Sequence, residues 1–536
     1  MIPTSRRRFL AGLSAGTLAA VLPAAQASAL SVVSGFRQGV AEAAARDEVL
    51  AAFYRHRGFE GIWSGSGERE VARRNALLSA MTEAPMHGLG PRRHDAAALV
   101  RTLQEAREPY EQGVAEVEAS RAFLRLARDL NAGMFVPSDA DPLIKREVLA
   151  ADPLAVITIL PEEEPTAFLR GLAPSTPEYA RLLSERLRLE SVIALGDWGG
   201  EVPAGKLEPG QGGSAVIALR DRLIDMGWLR PTATARYDEA LAGAVRAFQA
   251  AHGLAEDGVA GEGTIAEVNL SARERLRSVL VALERERWNA GPRGARHVWV
   301  NIPDFSAAIV DDDVHTFRTR AVVGANEEQR QTPEFSDLME FMVINPSWFV
   351  PRSIIVREYL PQLRSNPGAL GDLRITDSSG QVIDRRAIDF GAYTESSFPF
   401  SMHQPPGPDN ALGVVKFMFP NPWNIYLHDT PAKDLFDREV RAFSHGCIRL
   451  QQPREFAYQL LARQTRDPRG LFQEKLDSGD ETRVNLAEPI PVHLEYRTAF
   501  TNVRGGLQFR RDVYGRDGRI WAKLEEEGVE AAPLQG

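Results

Sequence analysis

Three textures of apolar and polar positions follow one another along the chain. In residues 30–198 apolar residues recur at helical spacing, and Ala41–Arg57, Ala115–Asn131 and Tyr179–Leu195 each predict a helix of a helical scaffold domain. Residues 199–214 are rich in Gly and Pro and predict a linker. Short helices follow in 215–270. Val216, Leu219, Leu223 and Met226 share one face, stopped by Gly227, and Leu241, Val245 and Phe248 share a second, ended near Gly253. Asp257-Gly258 predicts a turn, and Thr264 with Glu267 predicts a capping box for a third helix. Another box, Ser271 with Glu274, opens a helix over 271–290 with Leu276, Leu280 and Leu283 as its apolar stripe, expected to return to the scaffold.

From His297 the period shortens to that of strands, and residues 296–485 predict a mainly-β domain. Strands are expected at 298–302, 307–310, 314–323, 341–345, 414–419 and 424–428, the second and third joined as a hairpin by Asp311–Asp313. Residues 353–400 interrupt them with a helix and a hairpin over 375–383. A long insertion just ahead of a reactive segment predicts a lid. Pro453 opens a helix through Gln464, and 486–536 is expected to be a C-terminal extension. The fold class is therefore multidomain α+β.

Composition narrows the chemistry. A net charge of −9 over 536 residues gives no sign of nucleic-acid binding or of a polybasic membrane anchor. A single cysteine excludes an intramolecular disulfide and a Cys-zinc site. The ten histidines lack zinc-peptidase spacing, and His56, His87 and His94 are scattered, so no metal or cofactor is expected. Residues 1–29 predict a twin-arginine signal: Arg6 and Arg7 precede a weakly apolar stretch from Phe9 to Leu22, too short to span a bilayer, then Pro23 and the small residues Ala27-Ser28-Ala29. That signal implies export by the twin-arginine machinery to a bacterial periplasm, with no cysteine after it to carry a lipid.

The lone Cys447 lies in Ser444-His445-Gly446-Cys447-Ile448-Arg449-Leu450. A cysteine beside a turn glycine would by itself suit a buried, inert thiol. A nucleophile needs a base, because the thiolate is the reactive form. His445, two residues away, is badly placed for an in-line bond, whereas His428, nineteen residues earlier at a strand end, can be brought opposite the thiol within hydrogen-bond reach. His428 is therefore the expected base, oriented by the Asp429 carbonyl or carboxylate. The amides of Gly446 and Cys447 are the expected oxyanion donors. In an extended strand Arg449 shares the Cys447 side, about 6.6 Å along, where it would lower the thiol pKa and bind a substrate carboxylate.

These residues resemble the motif of the L,D-transpeptidases of the YkuD type: an upstream His, then Ser444-His445-Gly446-Cys447-Ile448-Arg449. Trp348–Pro351, Gln404–Gly407, Asn410–Gly413 with Lys416-Phe417, and Tyr426–Pro431 resemble the large multidomain Gram-negative subgroup. Arg stands at 449 where many members carry Asn. Gly227-Trp228-Leu229, Val245-x-x-Phe248-Gln249, His252-Gly253-Leu254 and Asp257-Gly258-Val259 resemble a type-1 peptidoglycan-binding module. The resemblance implies a Cys447 thioester formed on a tetrapeptide stem with loss of D-Ala, then a 3→3 cross-link between diaminopimelates. His428 would be base and acid, His445 would shape the site, and Ser444, Asp429 and Arg449 would contact substrate. The implied partners are peptidoglycan peptides and glycan, and other wall-synthesis enzymes. Water in place of the amine acceptor would give an L,D-carboxypeptidase or endopeptidase, and the residues leave that choice open.

Overall fold

The computed structural model describes residues 25–289, 291–502 and 505–533. The twin-arginine stretch lies outside the described residues, and Ala27–Ala29 falls within the helix Ala25–Ala44. The chain divides into two compact units, one of residues up to 80 with 95–125 and 152–168, the other of residues 81–94, 126–151 and 169 onward.

The first unit is helical. The helix expected over Ala41–Arg57 is broken: one helix ends at Ala44 and another runs Glu48–His56, because the Asp47 carboxylate caps the Leu50 amide and starts the second afresh. Its core is organised around a buried carboxylate. Glu116 accepts from the Ile62, Trp63 and Ser64 amides and from the Tyr54 hydroxyl. That donor set satisfies a charge that would otherwise be costly to bury.

In the second unit the helix Pro177–Ala194 packs on Ala272–Trp288, whose Ser271–Glu274 capping box forms as expected. The module helices are Ser214–Asp225, Glu239–Ala251 and Glu262–Asn269. Two expectations fail here. Residues 199–214 are not a free linker: Val202 is buried in the module core, and Leu207 pairs with Ala260. Thr264 caps nothing, since Gly261 is the N-cap; its hydroxyl accepts from Gln249, while Glu267 pairs with Arg275.

The strands follow. They are β1 (Arg296–Asn301), β2 (Ser306–Asp311), β3 (Val314–Gly324), β4 (Phe335–Ile344), β5 (Trp348–Phe349), β6 (Arg374–Thr376), β7 (Ser401–Gln404), β8 (Val415–Met418), β9 (Leu427–His428), β10 (Ala442–Ser444), β11 (Ile448–Leu450), β12 (Thr482–Glu495), β13 (Ala499–Thr501) and β14 (Leu507–Phe509). Nine of them form one mixed sheet in the order β10-β3-β11-β9-β8-β4-β12-β1-β2, and the β2–β3 hairpin closes that order on itself. Its core is apolar, with Val300, Met342, Phe417, Leu427, Ile448 and Leu450 inaccessible and Phe456 and Phe472 supplied by the helices Pro453–Leu461 and Pro468–Asp477.

Residues 486–536 are not simply an extension. Strand β12 runs across that boundary and lies inside the sheet, antiparallel to β4 and parallel to β1. Its prolines disguise it, because prolines argue against a central strand. Here Pro489 falls in the register shift between Asn485 and Ile490, and Pro491 lies just before the β1 pairing begins at Val492. The strand expected over 424–428 shrinks to Leu427–His428. The Asn421 side chain accepts from the Trp423 and Ile425 amides and turns the chain before it. The helix opened by Pro453 likewise stops at Leu461, short of Gln464.

The insertion is a body of its own. Strands β5, β7 and β6 form a three-stranded sheet. A separate cluster containing Ile354, Leu360, Ile375, Phe390, Phe398 and Met402 fills its interior. The hairpin expected over 375–383 is reduced to the Thr376–Val382 bridge, since β6 takes β7 as its ladder partner.

Candidate functional site

Parallel pairing of β9 with β11 sets the site. Leu427 lies opposite Ile448, and His428 opposite Arg449. Alternation sends Leu427, Ile448 and Leu450 into the core, so His428 and Arg449 share the other face with Tyr426 and Cys447. The sequence therefore places Cys447, His428 and Arg449 together.

Direct contact between thiol and imidazole is not what this register produces. His428 lies across from Arg449, two register positions beyond the thiol, and among the described residues no hydrogen bond joins it to Cys447. The thiol donates instead to the Asn424 carbonyl at 3.5 Å. Tyr426 is the residue that flanks the sulfur. It was overlooked in the sequence, although its place two residues before His428 puts it on the same strand face.

His428 is buried, and its Nδ1 lies 2.5 Å from the Asp429 carbonyl oxygen. A carbonyl can only accept, so Nδ1 carries the proton and Nε2 is left as the basic nitrogen. Burial first, and the Arg449 charge second, push His428 down to about 3. Burial pushes the half-buried Cys447 up to about 11, against the Tyr426 contacts and Arg449, which pull it down. Both shifts oppose a resting thiolate–imidazolium pair. Burial thus favours the neutral thiol and the neutral imidazole over their charged forms.

The reactive turn is stapled from within. Gly446 adopts φ +112°, open to glycine, and a Cβ there would meet the Ile425 side chain at 3.0 Å. Buried Ser444 donates its hydroxyl to the Cys447 carbonyl at 2.5 Å and accepts from the Gly446 amide at 3.1 Å. Ser444 is thus a turn brace rather than a substrate contact, and the Gly446 amide is engaged instead of free for an oxyanion. Thr332, which sequence reasoning missed, donates to the Gly446 carbonyl at 2.7 Å. Its own amide and carbonyl are held by Tyr514 and Arg516, far along the chain.

Asp429 is also used internally. Its carbonyl orients His428, and its carboxylate accepts from the Val414 and Thr430 amides and from Lys433. It too is structural rather than a substrate contact. Its approach explains Gly413, where a Cβ would overlap the carboxylate.

Arg449 differs from all of these. Among the described residues its buried Nε has no hydrogen-bond partner and no carboxylate pairs with its guanidinium. An unpaired, half-buried cation beside a thiol fits an incoming carboxylate.

The insertion reaches this face. His445 is not bonded to the thiol; its Nε2 lies 2.5 Å from Glu358 Oε1, in a π-helical turn Ile355–Tyr359. Tyr359 of the same turn feels the Arg449 charge, although burial, Glu358 and Asp372 push its hydroxyl up to about 12. Trp348, at the insertion's entry, lies near the Tyr426 hydroxyl and pulls its pKa down against burial, which raises it.

Residues 295–483 match the model of the L,D-transpeptidase catalytic domain, 48–185 that of a scaffold domain, and 212–267 that of a "Putative peptidoglycan binding domain". A curated protein of Haemophilus influenzae described as "Putative L,D-transpeptidase" is 32% identical over 246 residues, covering 45% of this chain and 48% of that protein. The chain thus spans about half the length of the curated relative it matches. A crystal structure of an L,D-transpeptidase from Xylanimonas cellulosilytica is 17% identical and covers 55% of this chain and 98% of that one, at a TM-score of 0.17.

Proposed function

From a chain that carries an L,D-transpeptidase catalytic domain at 295–483, we propose an exported enzyme that joins peptidoglycan stems through a Cys447 thioester. The observation that carries the reading is the shared face of Cys447, Arg449, Tyr426 and His428, with Arg449 lacking an acidic partner among the described residues. Arg449 receives a carboxylate of the donor tetrapeptide. The Cys447 proton passes to His428 Nε2 as sulfur attacks the diaminopimelate carbonyl, and the Cys447 amide supports the oxyanion. The C–N bond then breaks, and D-Ala leaves with the proton returned by His428. An amine of a second stem attacks the thioester, gives its proton to His428 and frees the thiol, leaving a 3→3 cross-link. The twin-arginine segment motivates a periplasmic location, where stems and glycan are met.

Incubation with purified disaccharide tetrapeptides, read by mass spectrometry, tests this. The expected product is a cross-linked dimer with D-Ala released. Tripeptide alone would make water the acceptor, and unchanged tetrapeptide would refute acyl transfer. Intact-mass detection of a carbapenem adduct is a second test: Cys447→Ala should abolish it, and an adduct in that variant would remove Cys447 as the nucleophile.

A further inference from the structure

One row of side chains crosses three neighbouring strands of the catalytic sheet. Lys416 on β8 pairs with His428 on β9, and His428 pairs with Arg449 on β11. Residues directly opposite one another share a face, and the alternate positions Val415, Phe417, Leu427, Ile448 and Leu450 are all sunk in the core. The base therefore stands between two cations, each one strand spacing away, about 4.8 Å along the row.

Lys416 is only lightly engaged. Its side chain is 16% exposed. Its Nζ donates to the Ser347 carbonyl at 3.3 Å, and Glu481 Oε1 lies at 4.0 Å, beyond hydrogen-bond distance. An ammonium has three donors, so one long bond to a carbonyl leaves it able to take a carboxylate. Its charge also reaches the base: after burial and Arg449, Lys416 is among the groups that hold His428 down.

The order of the row assigns its two ends. Cys447 and Arg449 belong to β11 and its approach, so the acyl half of the donor lies there. In the proposed reaction His428, on the middle strand, returns the proton to the leaving amine, so that nitrogen faces β9. The rest of the leaving group then extends over β8, away from the sulfur. The carboxyl carbon of D-Ala is two bonds from its nitrogen, which puts it within reach of a long ammonium side chain on the next strand.

We propose that Lys416 binds the carboxylate of the leaving D-Ala, while Arg449 takes a carboxylate on the acyl side of the scissile bond. The proposal rests on the acyl-transfer reading and deepens it. The donor is held by one cation on each side of the base, and a stem whose terminal carboxylate is masked is a poor donor.

Calorimetric titration of Cys447→Ala, which leaves the donor uncleaved, tests it with two ligands: the free tetrapeptide, and the same peptide with its D-Ala carboxylate amidated. Amidation should weaken binding about tenfold. Adding Lys416→Met should weaken binding of the acid form by a similar factor and leave the amide form nearly unchanged, so the two losses do not add. Adding Arg449→Gln instead should weaken both forms alike. No binding of the tetrapeptide, indifference to amidation, or an equal loss for both ligands on Lys416→Met would each overturn the assignment. Thermal midpoints identify folded variants, and Lys416→Gln, which can still donate to Ser347, replaces Lys416→Met should the latter not fold. Release of D-Ala by the parent, measured separately, keeps the two readings distinct. Discrimination at Lys416 without release removes acyl transfer and keeps the subsite, whereas release without discrimination does the reverse.

Discussion

The catalytic sheet and the insertion over it are built on opposite plans. In the sheet, each site residue backs onto one continuous core: Ile448 and Leu450 are sealed beneath Cys447 and Arg449, and Leu427 beneath His428. The insertion has a core of its own and joins the sheet through chain entry near Trp348, return near Gln404 and a few polar contacts such as Glu358–His445. Buried apolar area fixes the first, whereas the second is held by groups that exchange readily with water. The site residues thus rest on one core and the insertion on another, which is the arrangement that a lid over the site would require.

Removing the insertion breaks the comparison most severely. With 353–400 replaced by a short turn joining β5 to β7, the independent cores predict that the sheet still folds. The KM for a tetrapeptide donor should rise about 10–100-fold as remote contacts are lost. Thermal unfolding and donor kinetics check this, and unchanged turnover would remove the lid reading.

Next in size is Arg449→Gln. Loss of a charge-assisted pair with the donor carboxylate should lower kcat/KM about 10–100-fold. The pH profile makes the test sharper. His428 is held down to about 3 partly by Arg449, so removing that charge raises the imidazole pKa and moves the acid limb of acylation to higher pH. The thiol, held up at about 11 by burial even with Arg449 pulling it down, moves further up. An acid limb that stays in place would mean that Arg449 does not act on His428.

Thr332→Val should have a smaller effect. It removes the hydroxyl that holds the Gly446 carbonyl at 2.7 Å and leaves that buried acceptor unpaired. The expected cost is about 1–3 kcal/mol in stability. Acylation should also slow, because the turn carrying Cys447 loses a staple. Denaturant melts and stopped-flow acylation measure the two effects, and a stability loss with unchanged acylation would make Thr332 a purely structural brace.

These tests also show where the sequence was informative. The shared face of Cys447, His428 and Arg449 was legible because it follows from spacing and strand alternation, whereas the expected hydrogen bond between His428 and the thiol is absent among the described residues. Ser444 was misread because the motif puts it beside the chemistry, and only the fold shows its hydroxyl turned inward; the Asp429 carbonyl orients His428 as expected, while its carboxylate is taken up by the Val414 amide and Lys433. Thr332 carried no local signal, since its importance depends on a contact to residue 446. Strand β12 was hidden by Pro489 and Pro491, whose tolerance depends on pairing partners elsewhere in the chain. The insertion's bulk was legible as an interruption, but its separate core was not.

Glu358→Gln probes the weakest link between the two regions. The Glu358–His445 contact is short at 2.5 Å, yet its side chains are 40% and 32% exposed. Water and salt screen such a pair, so its contribution is about 0.2–1 kcal/mol, a fewfold change at most. If it only tethers the insertion, Gln retains the hydrogen bond to His445 and the donor KM rises about twofold or less, with the residual effect vanishing at high salt. Should Glu358→Gln instead lower kcat about tenfold at unchanged KM, His445 must act on the reacting atoms and Glu358 must set its orientation. The insertion would then complete the catalytic arrangement, and the separation between the two cores would fail at this one residue pair.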